Sequence, residues 1–154
     1  MKIQLWWIGK TQVPYVKEGI ADFCNRIQRL DKFNTRSINV KPQRNQETQR
    51  QSEGQAILNL LESTDHLVLL DEKGKAVSSR GLAGMLEDFK MNRTKNLIFV
   101  IGGSFGFDPM VYQRANQSIS LSKMTFPHDL VRLIFLEQLY RSLTINLNHP
   151  YHHD

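Results

Sequence analysis

The chain has 154 residues, 40% of them apolar and 23% charged, with a formal net charge of +5. This is one domain's worth of chain, enough to bury a core without disulfides or metal, and the composition excludes the disordered and low-complexity classes. No apolar run approaches the roughly 18 residues of a membrane span, the start Met1–Gly9 lacks the length and cleavage site of a signal peptide, and the lone Cys24 excludes an internal disulfide and fits a reducing cytoplasm.

Lys2–Ile8 is short and apolar and predicts a first strand. Val13–Leu30 carries Val16, Ile20, Phe23, Ile27 and Leu30 at spacings of three and four, an amphipathic helix with Pro14 in its first turn. Arg36–Lys41, with Ile38 and Val40 in alternation, predicts a second strand. Pro42–Ser52 is polar and Gln-rich, a loop and then a helix running to about Leu61, with Ala56, Ile57, Leu60 and Leu61 as its apolar face.

His66–Asp71 is a continuous apolar run, as expected of a strand covered on both faces, and Glu72–Lys75 predicts a turn. Ser78 or Ser79 can cap a helix over Arg80–Met91, with Leu82, Met85, Leu86 and Phe89 on one side. Asn96–Ile101 is the most apolar run and ends at Gly102-Gly103. Asp108 can cap a short helix over Pro109–Asn116. Ser118–Ser122 alternates as a strand, and Pro127 opens a last helix to about Leu143. Its apolar residues circle most of the cylinder, so it needs burial on two sides, and a second subunit is the simplest cover for the outer one. The alternation of strands and helices predicts an α/β fold with a mainly parallel sheet and helices on both faces. No linker or repeat divides residues 1–154, so one domain is expected.

Between Arg26 and Arg50 lie seven basic residues against Asp31 and Glu47 alone, so this stretch carries the whole net charge. A local basic surface points to a polyanionic partner, RNA or DNA rather than a small acid. A solvated helix face with its loop would read the same way.

Ligands of parallel α/β sheets bind outside the carboxyl ends of the strands. Three segments meet that condition: Leu70-Asp71, Gly102–Gly106 and Leu121–Phe126. Gly102-Gly103-Ser104-Phe105-Gly106 lets backbone approach a ligand closely, but it is neither a P-loop nor a dinucleotide fingerprint. By itself it reads equally as a strand-to-helix turn. Leu121–His128 mixes apolar and small polar residues, a lining suited to an adenosine-like ligand.

Taken together, Ile101-Gly102-Gly103-x-x-Gly106, Leu121-Ser122-Lys123-Met124-Thr125-Phe126-Pro127-His128, Arg132, Glu137-Gln138-x-Tyr140-Arg141 and Asn148-His149-Pro150-Tyr151-His152 resemble the ribosomal RNA large-subunit methyltransferase H family. The resemblance covers the whole chain. That family belongs to the SPOUT class of S-adenosylmethionine-dependent methyltransferases. The resemblance implies a SPOUT-type α/β knot, with a C-terminal trefoil knot around the bent cofactor, and a homodimer with the last helix in the interface. The implied reaction is N3-methylation of a pseudouridine in 23S rRNA of the assembled ribosome. The implied cofactor contacts are Leu70, Gly102, Leu121, Ser122, Lys123, Met124, Thr125 and Phe126. Two departures stand out. Ser104-Phe105 occupies loop positions where many relatives have other residues, and His153 followed by Asp154 replaces a basic residue after the Tyr-His pair.

A sulfonium methyl is already electrophilic, so this reaction needs no metal. It needs alignment of the nucleophile and an outlet for the N3 proton. The candidates for catalysis are His128, Arg132 and His152, the last reaching a partner's cofactor from the tail. Arg141, Tyr151 and His153 are the candidates for RNA binding. Each has a plainer role open to it: His128 as a packing residue, Arg132 as a partner of Asp129 or Glu137. His149, His152 and His153 lack zinc-site spacing. Cys24 reads as a small core residue, which argues against methylation through a cysteine adduct. The competing expectation is a non-catalytic RNA-binding or ribosome-associated factor that uses segment 26–50.

Overall fold

The computed structural model describes residues 1–154. Its elements are β1 (Lys2–Ile8), α1 (Pro14–Gln28), β2 (Phe33–Ile38), α2 (Gln46–Leu58), β3 (His66–Ala76), α3 (Ser79–Met91), β4 (Asn96–Ile101), α4 (Pro109–Arg114), β5 (Gln117–Ser120) and α5 (His128–Asn146). All strand pairs are parallel, in the order β2-β1-β4-β3-β5. The central registers set Trp7 and Leu70 beside Ile101, so β1 and β4 finish level beside Leu70, and β3 runs on past them to Ala76.

Side-chain alternation divides the core. From β4, Leu97, Phe99 and Ile101 join Ile27 of α1, Leu82 and Leu86 of α3, and Phe135, Leu136 and Leu139 of α5 on one face. Ile98 and Val100 join Ile57 of α2 and Val111 of α4 on the other. A strand buried on both faces has no polar positions to spare, which is why β4 reads as an unbroken apolar run. The helices therefore do lie on both faces of a parallel sheet.

The caps follow the sequence. Ser78 Oγ accepts from Gly81 N at 3.0 Å, and Asp108 Oδ1 accepts from Met110 N at 3.0 Å. The start of α1 has no side-chain cap of its own. Asp129, in the first turn of α5, instead accepts from Gln12 N and Val13 N at 2.8 and 2.9 Å, pinning the β1–α1 connection to the last helix. Burial opposes ionisation of Asp129, but these amides and Arg132 outweigh it and hold its carboxyl below the usual range.

Several expected bounds shift. β2 begins at Phe33 and ends at Ile38, because Phe33 pairs with Ile3 at the start of β1. α2 ends at Leu58, and Leu60, expected on its apolar face, is 40% exposed. The buried residues of α2 are Glu53, Gly54 and Ile57. The last helix begins at His128 and runs on to Asn146. The largest correction is at Glu72–Lys75. The expected turn is a wide bulge within β3: Leu70 and Lys75 both pair with Ile119 of β5, and the residues between them loop out. Gly74 makes this possible, since a Cβ there would stand 2.7 Å from the Ile119 backbone.

Candidate functional site

The β3 bulge, the loop after β4 and the loop after β5 close around one cleft of about 230 Å³. Leu70, Asp71 and Glu72 form one wall. Ile101, Gly102, Gly103, Ser104, Gly106 and Phe107 form the second. Leu121, Ser122, Met124, Thr125 and Phe126 form the third, and His128 and Val131 of α5 close the end. All three segments expected to hold a ligand thus meet in one place. Of the expected cofactor contacts, Lys123 alone is absent from the lining, and of the glycine loop Phe105 alone is absent. Glu72, Ile101, Phe107 and Val131 line the cleft from outside the expected segments.

Local bonds fix the loops. Ser120 Oγ donates to Ser122 O at 2.9 Å, and Ser122 Oγ accepts from Met124 N at 2.9 Å, which turns the chain back over the cleft. Thr125 Oγ1 donates to Glu72 Oε2 at 3.3 Å, tying the third wall to the first. Tyr112 Oη donates to Asp71, so α4 braces the bulge. Burial, and then the Asp71 hydrogen bond, raise the Tyr112 phenol pKa and keep this donor protonated. Behind the glycine loop, Glu53 of α2 is 6% exposed; its Oε1 accepts from Gln49 Nε2 at 2.9 Å, while Oε2 has no partner. Glu53 carried no signal in the sequence, because it sits in a polar, Gln-rich segment that reads as surface.

The cleft is apolar at its base (Leu70, Ile101, Phe107, Leu121, Val131) and rimmed by backbone, small polar side chains and the Asp71–Glu72 carboxylates. Such a site can seat a flat heterocycle against the apolar base and offer main-chain donors and acceptors to its edge. The acidic lip suits a ligand with positive charge.

The catalytic candidates separate. His128 lies at the mouth of the cleft and is exposed. Arg132 does not line the cleft. Its side chain is 4% exposed; it donates to Ile8 O and Thr11 Oγ1, each at 2.9 Å, pairs with Asp129 at 3.2 Å and lies over the Trp7 ring at 5.4 Å. Burial lowers the Arg132 pKa, against the pull of Asp129. Its plainer role as the partner of Asp129 is therefore present in the structure.

The tail folds onto its own helix α5. Arg141 Nε and Nη2 donate to Glu137 Oε1 at 3.0 and 2.6 Å, and that hydrogen bond raises the Arg141 pKa. Tyr151 Oη donates to the same oxygen at 3.1 Å, beneath the Arg141 guanidinium at 4.9 Å. His152 Nδ1 lies 3.3 Å from Arg141 and its Nε2 lies 2.9 Å from Asp154, which also pairs with Arg80. His153 is exposed. Arg141 stands about 20 Å along α5 from His128, at 1.5 Å per residue. One chain therefore does not bring His152, Arg141, Tyr151 or His153 to its own cleft. Cys24 is partly buried, and burial pushes its thiol up to about 11, unfit for nucleophilic attack at neutral pH.

Comparison with known proteins identifies the family. The family model described as "Predicted SPOUT methyltransferase" matches residues 1–152. The chain is 45% identical to the ribosomal RNA large subunit methyltransferase H of Parabacteroides distasonis, over 100% of both chains. It is 41% identical to the protein of that name from Geotalea daltonii, over 99% of this chain and 100% of the relative. It is 44% identical to that of Flavobacterium johnsoniae, over 99% of each.

Proposed function

The chain belongs to the SPOUT methyltransferase family, and on that premise we propose that it transfers a methyl group from S-adenosylmethionine to N3 of a pseudouridine in 23S rRNA of the large ribosomal subunit. The observation that carries the reading is the convergence of Leu70, Gly102 and Leu121–Phe126 on one cleft at the carboxyl edge of the sheet. The residues fit the cofactor. The apolar base would hold the adenine, the main chain of the glycine loop and of Leu121–Phe126 would bond its edge and the ribose, and the Asp71–Glu72 lip would offset its positive charge. When bound, S-adenosylmethionine supplies an electrophilic methyl on its sulfonium.

This chain's residues supply the rest. The folded loops exclude water from the base of the cleft and fix the direction from which a nucleotide enters. His128 Nδ1 or Nε2, at the mouth, accepts the N3 proton of the pyrimidine. The tail histidine His152 is the second candidate for that role, acting on the cleft of a partner subunit, since its own cleft lies a helix length away. A homodimer through α5 is part of this reading. Leu130, Ile134 and Ile145 of that helix are only half-buried in the single chain, and Leu147 beyond it is 49% exposed. Arg141, Tyr151 and His153 then hold RNA beside the partner's cleft. A trefoil knot through the C-terminal half also belongs to this reading; the three loops wrapping one cleft support it.

The test is methyl transfer from labelled S-adenosylmethionine to ribosomes with and without the target pseudouridine. Label at N3 of the pseudouridine, and none on ribosomes lacking it, is the expected result. Equal labelling of both refutes the assigned substrate.

A further inference from the structure

Among the seven cations between Arg26 and Arg50, Arg26 alone forms an ion pair, with Asp22 at 2.9 Å. The others divide by position. Arg29 and Lys32 precede β2 and stand at the amino edge of the sheet, as does Lys95 before β4. Arg36 lies within β2, its guanidinium over the Trp6 ring at 5.2 Å. Lys41 and Arg44 hang from the exposed loop after β2, at the carboxyl edge where the cleft opens.

Two further cations stand on that edge. Lys10 follows β1, and the ends of β1 and β2 are joined there: Gly9 N donates to Ile38 O at 2.8 Å, and Ser37 Oγ donates to Gly9 O at 2.6 Å. Arg50 lies one turn into α2 and lines a crevice with Gly102, Gly103 and Gly106, on the back of the glycine loop. The order β2-β1-β4 puts the end of β2 two strand spacings, about 10 Å, from the end of β4. Lys10, Lys41, Arg44 and Arg50 thus lead from the sheet edge towards the glycine loop.

No carboxylate pairs with any of the four, and they stand on three separate segments: the end of β1, the loop after β2 and the early turns of α2. Spaced, unpaired cations suit a ligand with repeating negative charge. A lipid surface is a poorer match, because the exposed residues of α2 (Gln46, Glu47, Gln51, Gln55) offer nothing apolar to insert.

We propose that Lys10, Lys41, Arg44 and Arg50 form a row that grips the phosphate backbone of the RNA whose nucleotide enters the cleft. The proposal rests on the reading of the cleft as the methyl-transfer site. The row orients the RNA without reading its sequence. Its loss therefore weakens substrate binding and leaves the chemical step alone.

The experiment compares the wild-type protein, Lys41→Ala/Arg44→Ala and Lys32→Ala/Lys95→Ala. The last pair removes the same charge at the amino edge. The probe is large ribosomal subunits that lack the modification, titrated at several salt concentrations, with methylation kinetics alongside. Lys41→Ala/Arg44→Ala is expected to weaken binding and raise KM about tenfold, and to flatten the log–log salt slope by about 0.7–0.9 per lost phosphate contact. Its kcat and its affinity for S-adenosylmethionine stay within about twofold, and the amino-edge pair stays near wild type. Unchanged binding and slope in Lys41→Ala/Arg44→Ala, or equal weakening by the amino-edge pair, overturns the proposal. If the wild-type protein binds the subunits but neither binds S-adenosylmethionine nor transfers methyl, the reading of the cleft fails, and the binding comparison still decides the row.

Discussion

Glu53 occupies the space that a side chain on residue 103 would need: a Cβ on Gly103 would stand 2.6 Å from Glu53 Oε1 and closer still to Oε2. The carboxylate is the floor on which the glycine loop rests, with its Oε2 buried and unpartnered. Gly103→Ala should therefore destabilise the fold by about 1–3 kcal/mol, as overpacking does, and weaken S-adenosylmethionine binding by lifting the loop. Glu53→Ala in the same chain should restore much of both, giving a coupling within about 0.5–3 kcal/mol. Denaturant unfolding and calorimetry on the four proteins of the cycle measure it. Additive effects would show that the two residues do not act through one contact.

Arg132 is predicted to hold the fold together. It is buried between Asp129, Ile8 O and Thr11, and removing one partner of a buried pair costs roughly 3–5 kcal/mol. Arg132→Ala should show a loss of that order in denaturant unfolding. An unchanged unfolding midpoint with a collapsed methylation rate would instead assign Arg132 to the reaction.

His66 predicts a pH dependence. It opens β3, packs on Phe89 at a ring distance of 4.6 Å, and its buried Nε2 has no partner. Burial, and then the charge of Arg114, lower its pKa from the ordinary 6.5. The unfolded chain therefore binds a proton at a pH where the folded chain does not. The contribution of His66 to stability is whole above about 6.5 and is lost as pH falls below that value. The stability of His66→Gln should fall less than that of wild type between pH 7 and 5, read from unfolding midpoints. Parallel curves would refute it.

The tail bears on the dimer. His152 is held by Arg141 and Asp154 at the far end of α5 from its own cleft. A mixture of Gly102→Trp chains with chains ending at Pro150 should recover part of the activity that each lacks alone, because the mixed dimer has one intact cleft facing one intact tail. Complete inactivity of the mixture, with dimers shown by ultracentrifugation, contradicts a shared site.

The sequence carries the element order, the caps at Ser78 and Asp108, and the fully buried β4, because each depends on neighbours in the chain or on a simple period. It also locates Gly102–Gly106 and Leu121–Phe126, since strand ends are readable. The bulge at Asp71–Gly74 is invisible there: Glu-Lys-Gly-Lys has turn chemistry, and only pairing with Ile119, far along the chain, makes it part of a strand. Glu53 and Asp129 escape for the same reason. A carboxylate in a polar segment looks solvated until a distant glycine or a distant amide comes to rest on it.

Methyl transfer as proposed requires S-adenosylmethionine to occupy the cleft, and calorimetric titration of the wild-type protein and Gly102→Trp tests this most directly. The prediction is saturable binding of one cofactor per chain by the wild-type protein, lost in Gly102→Trp while the fold melts cooperatively. No binding by the wild-type protein at millimolar cofactor, or equal binding by both proteins, would contradict it.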